Sequence, residues 1–175
     1  MNRLRIILLG IILVLSVFII SSCGQNNKPL TIIELAAKYD AEVGVLNKTY
    51  QINSNYTYPD GSYIFVDFKS IKKHKEVTDN EEKKLNNVIV IALDNGLPIQ
   101  ENSEFASKVR YLGAFLRILD NTGKGINIKN IYAQTGNEFY EVIIELPEEK
   151  DGAFLLIGGF DQSSVGKSKL IFTLD

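Results

Sequence analysis

Three patterns of apolar and polar residues follow one another along this chain. From Ile6 to Ile20 the run is apolar and nearly unbroken. Around Thr31 the spacing becomes helical: Thr31-Ile32-Ile33-Glu34 fits a capping box ahead of Leu35-Ala36-Ala37-Lys38-Tyr39. This predicts a short helix over Ile32–Ala41, with a strand as the alternative because Leu30–Ile33 is also strand-like. From Val43 onward short stretches of β-branched and aromatic residues are separated by turn residues. Gly44–Asn53 carries β-formers, Pro59-Asp60-Gly61 turns the chain, and Ser62–Ile71 places Ile64, Val66 and Phe68 on one face. Val88–Leu93 leads into the turn Asp94-Asn95-Gly96, and Ser107–Leu119 is too β-branched and aromatic for a helix. A second strong turn spans Asp120–Gly125. Ile126–Tyr132 and Glu138–Leu146 flank the hairpin signature Gln134-Thr135-Gly136-Asn137. Pro147–Gly152 turns again, Ala153–Phe160 forms a strand, and Lys169–Leu174 closes the series.

Seven or eight short strands with turns about every ten residues predict an antiparallel sandwich or small barrel, and a sandwich is favoured. Lys72–Asn87 interrupts the series with mixed charges and almost no apolar side chains, so an exposed, mobile loop is expected at 72–87.

The apolar run follows a short basic segment, Met1–Arg5. Its fifteen residues would rise about 22 Å as a helix, short of the roughly 30 Å of a hydrocarbon core. A secretion signal over residues 1–22 is therefore expected. The run ends in Ile20-Ser21-Ser22-Cys23, which resembles the bacterial lipobox. That resemblance implies a diacylglycerol on the Cys23 thiol, cleavage ahead of it, and anchoring to the outer, extracytoplasmic face of the cell membrane. Cys23 is the chain's one cysteine. An uncleaved signal anchor with an incidental cysteine is the competing reading. Residues 23–29 then form the lipidated cysteine and a tether without large apolar side chains, leaving 30–175 as a single domain.

Composition narrows the chemistry. Hydrophobic residues at 45% and charged residues at 23% argue against disorder. Removing Arg3 and Arg5 with the leader leaves 17 positive and 21 negative groups, a charge of −4. No nucleic-acid partner is expected from that balance. A single cysteine cannot form an internal disulfide.

The residue clusters that resemble catalytic or binding motifs have simpler readings. Ser163-Ser-Val-Gly-Lys-Ser168 ends like a phosphate-binding loop, but Asp161 stands where the first glycine belongs, so no nucleotide is expected there. The lone His74 sits in Lys72-Lys73-His74-Lys75 and can build neither a zinc site nor a triad without help. Glu81-Glu82, Glu148-Glu149 with Asp151, and Glu101 near Glu104 lie in polar turn segments, not among the aromatic residues of a hydrolytic cleft. Asp120-Asn121-Thr122-Gly123 lacks the repeated acidic ligands of a calcium loop and is read as a turn. No metal and no cofactor are expected. Tyr50, Tyr56, Tyr58 and Tyr63 cluster around Pro59-Asp60-Gly61 and offer a binding surface, the alternative being that they cover sheet edges.

Val88–Asn95, Arg117–Lys124, Val142–Pro147 and Leu170–Asp175 follow one another in an order similar to the immunoglobulin-like domain of unknown function of secreted Gram-positive lipoproteins. The resemblance covers about Val43–Asp175 and departs from the family in the charged stretch Lys72–Asn87. It implies an immunoglobulin-like β-sandwich, a binding or surface-interaction role, and no catalytic residues. The chain is accordingly expected to be a non-catalytic membrane-anchored module for a peptide, an envelope protein or a wall polymer. The alternatives are an envelope-acting hydrolase or its accessory factor, and a phage- or plasmid-encoded surface exclusion lipoprotein.

Overall fold

The computed structural model describes residues 28–52, 64–99, 115–160 and 167–174. Expectations for the leader, Cys23, Tyr56, Tyr58, Tyr63, the Glu101 and Glu104 pair, Asp161 and most of the Ser163–Ser168 motif lie outside these residues.

Helix α1 spans Ile32–Tyr39 and begins with the capping box expected from sequence: Thr31 Oγ1 accepts from Glu34 N–H at 3.3 Å, and Thr31 N–H donates to Glu34 Oε2 at 2.8 Å. It ends at Asp40, whose φ of 50° is left-handed. Among the described residues ten strands follow: β1 (Glu42–Val43), β2 (Thr49–Ile52), β3 (Ile64–Thr78), β4 (Lys84–Asp94), β5 (Leu116–Leu119), β6 (Gly125–Ile126), β7 (Asn130–Thr135), β8 (Tyr140–Glu145), β9 (Phe154–Gly158) and β10 (Lys169–Thr173).

They form two sheets, ordered β1-β10-β9-β5-β6 and β2-β3-β4-β8-β7. Every pairing is antiparallel except β1 with β10.

Alternation along the strands decides what each sheet buries. In β3, Phe65 is exposed while Val66 and Phe68 are buried. In β8, Tyr140, Val142 and Ile144 point the same way. These side chains meet Leu116, Ile118, Leu155, Ile157, Leu170 and Phe172 of the other sheet in one core, a sandwich-like arrangement. Phe68 anchors it, with ring centroids 4.9 Å from Phe172 and 5.9 Å from Tyr50. Helix α1 covers part of the outer face of the first sheet, where Leu35 and Ala36 pack with Leu119, Phe154, Leu156 and Ile171.

The stretch Lys72–Asn87 is not a loop. It lies in β3 and β4, which pair from Lys72↔Val90 to Thr78↔Lys84 on either side of a short turn. The charged side chains are compatible with strand because this part of the hairpin has water on most sides, while the ladder satisfies the backbone. The tip also curls onto the outer face of the second sheet. Asn80 N–H donates to Gln134 Oε1 at 3.2 Å, Asn80 Nδ2 donates to the Thr135 carbonyl at 3.1 Å, and Lys83 Nζ donates to the Tyr132 hydroxyl at 3.0 Å. Beneath it Leu85, Val88 and Ile143 form a small apolar cluster with Val77, Val90 and Tyr132. Asn87, at φ 50°, joins the hairpin to the following turn: its Nδ2 donates to the carbonyls of Pro147 (2.6 Å) and Lys150 (2.8 Å).

Candidate functional site

Beyond the C-terminal end of α1, no described residue covers the outer face of the first sheet. Cross-strand register places Arg117 opposite Leu156 and Lys169 opposite Gly158 there. Together with Tyr39, Phe115 and Leu116 these four residues line a shallow cleft of about 240 Å³.

Its apolar walls come from Phe115, Leu116 and Leu156, and its charges from Arg117 and Lys169. Lys169 Nζ donates to the Tyr39 carbonyl at 3.2 Å, which places a cation at the negative end of the helix. Tyr39 is fixed at its other end, where its hydroxyl donates to the Gly123 carbonyl at 2.7 Å. Asp40, next along, is held by an ion pair with Lys167, and this hydrogen bond lowers its carboxyl pKa. Arg117 is exposed and makes no ion pair among the described residues. A planar guanidinium and an ammonium beside an apolar wall suit a carboxylate or phosphate attached to an apolar body. The described residues of the lining include no carboxylate.

The other sequence-derived candidates fall elsewhere. Tyr50 does not belong to a binding surface. It is 1% exposed, its hydroxyl accepts from Val45 N–H at 2.8 Å, and its ring packs in the core. The reason is strand parity: Tyr50 and Ile52 face inward on β2, while Thr49 faces water.

His74 is exposed on β3, within a strand and not a loop. Glu81 and Glu82 are exposed in the β3–β4 turn, as are Glu148 and Glu149 in theirs, and Asp151 pairs with Lys73 at 3.2 Å. Asp120 Oδ1 accepts from the N–H groups of Thr122 and Lys124 and from the Thr122 hydroxyl, so that oxygen serves the turn. Burial pushes the Asp120 carboxyl up, but those three hydrogen bonds outweigh it and its pKa is lowered. Among the described residues, no three His, Cys, Asp or Glu side chains come together in an arrangement that would hold a metal ion.

One buried charged site lies outside the candidates that the sequence offers. Glu145 is 5% exposed, and accepts from Lys129 Nζ and Asn130 Nδ2, each at 2.7 Å. Alternation in β8 predicts that Glu145 lies on the outer face with Ile143; its burial there depends on packing that no local pattern announces.

Comparison of the chain with protein-family models, with curated proteins and with solved structures finds no match.

Proposed function

We propose that this chain is a lipoprotein, anchored through Cys23 to the outer face of the cell membrane, whose immunoglobulin-like sandwich binds an envelope ligand and catalyses nothing. The observation that carries the location is the segment Ile20-Ser21-Ser22-Cys23, set after a basic start and an apolar run, with the chain's one cysteine at its end. Two acyl chains hold a protein stably where one would not.

Strand order supports the immunoglobulin-like reading. The arrangements β3-β4-β8-β7 and β6-β5-β9-β10 match strands A-B-E-D and C′-C-F-G of that fold, in the same order along the chain. On this reading β1 and β2 are additions ahead of strand A, and the charged stretch is an elongated A–B hairpin. The chain has no cysteine pair to bridge the sheets. Ile89 and Ile91 of β4 instead share the core with Leu155 and Ile157 of β9.

The binding role is supported by the cleft, which lies on the outer face of the C′-C-F-G sheet and combines apolar walls with the cations Arg117 and Lys169. Metabolic labelling with a fatty-acid probe tests the anchor. The natural chain should take up label, and Cys23→Ser should remain unlabelled and uncleaved. Label retained in the serine variant contradicts the assignment.

A further inference from the structure

The β3–β4 hairpin presents Lys72, Lys73, His74 and Lys75 in succession, all exposed. Among the described residues they occupy an unpaired edge. β2 covers β3 only at Ile64–Asp67, so from Ser70 onward β3 pairs with β4 alone among the described residues. Lys73 is engaged by Asp151, whereas Lys72 and Lys75 meet no carboxylate among the described residues. Lysines on a bare edge discourage another strand from adding there.

Their position also gives the run a direction. Lys73 Nζ reaches Asp151 and the Gly152 carbonyl, Ala153 N–H donates to the Leu119 carbonyl, and Leu30 N–H donates to the Asn121 carbonyl. These contacts place the basic run, the 147–152 turn, the 120–124 turn and Leu30 at one end of the sandwich. The start of β3 lies at the other end, beside Ile52 and its bridge to Phe160. From Cys23 to Leu30 the chain reaches at most about 25 Å.

We infer that the Lys72–Lys75 edge rests on the anionic surface of the membrane that holds Cys23. This docking rests on the lipid-anchor reading above. Lysines near an anionic leaflet are attracted to it within a Debye length. Glu148 and Glu149, exposed on the neighbouring turn, are repelled by the same surface, so contact runs along the β3 edge and not end-on. The domain therefore leans on the bilayer along β3.

The test uses the full acylated chain in vesicles of phosphatidylcholine alone and of an equal mixture with phosphatidylglycerol. Brief treatment with a water-soluble amine reagent is followed by mass spectrometry. Labelling of Lys72 and Lys75 should fall at least about threefold in the mixed vesicles and recover in high salt. Lys167, which pairs with Asp40 at the far end of α1, should be unchanged. Equal labelling of Lys72 and Lys75 in both vesicle types, on a chain that floats with both, overturns the docking and leaves the anchor standing. Protection that is the same in both compositions assigns the edge to a protein partner or second copy and overturns it too. A chain that fails to float with neutral vesicles overturns the anchor and the docking together.

Discussion

Asp79 and Asp120 occupy the same place in two copies of one turn. The Asp79 Oδ1 accepts from Glu81 N–H (3.0 Å) and Lys83 N–H (2.9 Å), and the Asp120 Oδ1 accepts from Thr122 N–H and Lys124 N–H (2.9 Å each). In each turn the aspartate N–H donates to the carbonyl of the lysine four residues on, and its own carbonyl accepts from the third residue on. That third residue is left-handed in both, Glu82 at φ 61° and Gly123 at φ 75°. Both sequences read Asp-Asn-x-x-Lys.

Opposite stability effects follow at these matched positions. A side chain in the left-handed region is strained, so Glu82→Gly should stabilise the chain by about 0.5–1 kcal/mol, after the cost of glycine's freedom when unfolded. Gly123→Ala should destabilise it by about 2 kcal/mol or more, because the new Cβ would also lie 2.4 Å from Leu35 Cδ2. Urea unfolding midpoints measure both, and a Glu82→Gly variant that loses stability contradicts the equivalence.

The two turns also mark where the sequence was legible. Gly123 announces its turn, whereas glutamate at Glu82 announces nothing, so the same hydrogen bonds went unseen at Asp79. With that turn hidden, Lys72–Asn87 had no apolar alternation to mark it as two strands, since much of the hairpin extends into water. Strands with one buried face were readable from parity, as Val66 and Phe68 show against Phe65. Nearness in sequence groups Tyr50 with Tyr56, Tyr58 and Tyr63, whereas the parity of β2 sets it inward with Ile52. The cleft had no local signature, because Tyr39, Arg117 and Lys169 come from three elements joined only by long-range register.

The hairpin should resist trypsin in spite of its lysines. Cleavage needs local opening, and β3 and β4 are paired through this stretch. Limited digestion followed by mass spectrometry should show no early cuts after Lys72, Lys73 or Lys75. Tyr132→Phe, which removes the hydroxyl that receives Lys83, should speed cutting after Lys83 and Lys84. Early cuts after Lys72 or Lys73 in the natural chain would restore the loop reading.

Tyr50 should behave as a core residue with a polar tip. Tyr50→Phe leaves the Val45 N–H without its 2.8 Å acceptor and should cost about 1–2 kcal/mol. Tyr50→Ala also removes the ring packed between Phe68 and Phe160 and should cost about 3–5 kcal/mol. Thermal or urea unfolding distinguishes the two. An alanine variant as stable as the natural chain would return Tyr50 to the surface.

Glu145 should make stability depend on pH at both extremes. Its hydrogen bond from Lys129 and then that from Asn130 hold its carboxyl below the ordinary 4.5, outweighing the upward push of burial. The same contact raises Lys129 above its ordinary 10.5. A carboxylate with a lowered folded pKa contributes stability above its unfolded value and loses it as pH falls through the folded one. A lysine with a raised folded pKa contributes below its unfolded value and loses that contribution as pH rises through the folded one. The pair is therefore fully effective between the two ordinary values. Glu145→Gln keeps much of the shape but removes the charge, and at neutral pH should cost about 1–2 kcal/mol. The Lys129 side chain is 58% exposed, so solvent screening keeps the loss below that of a fully buried pair. Unfolding free energies of the two chains should converge below the ordinary carboxylate range and again above the ordinary lysine range. A gap that stays constant with pH would assign the role of Glu145 to packing and not to its charge.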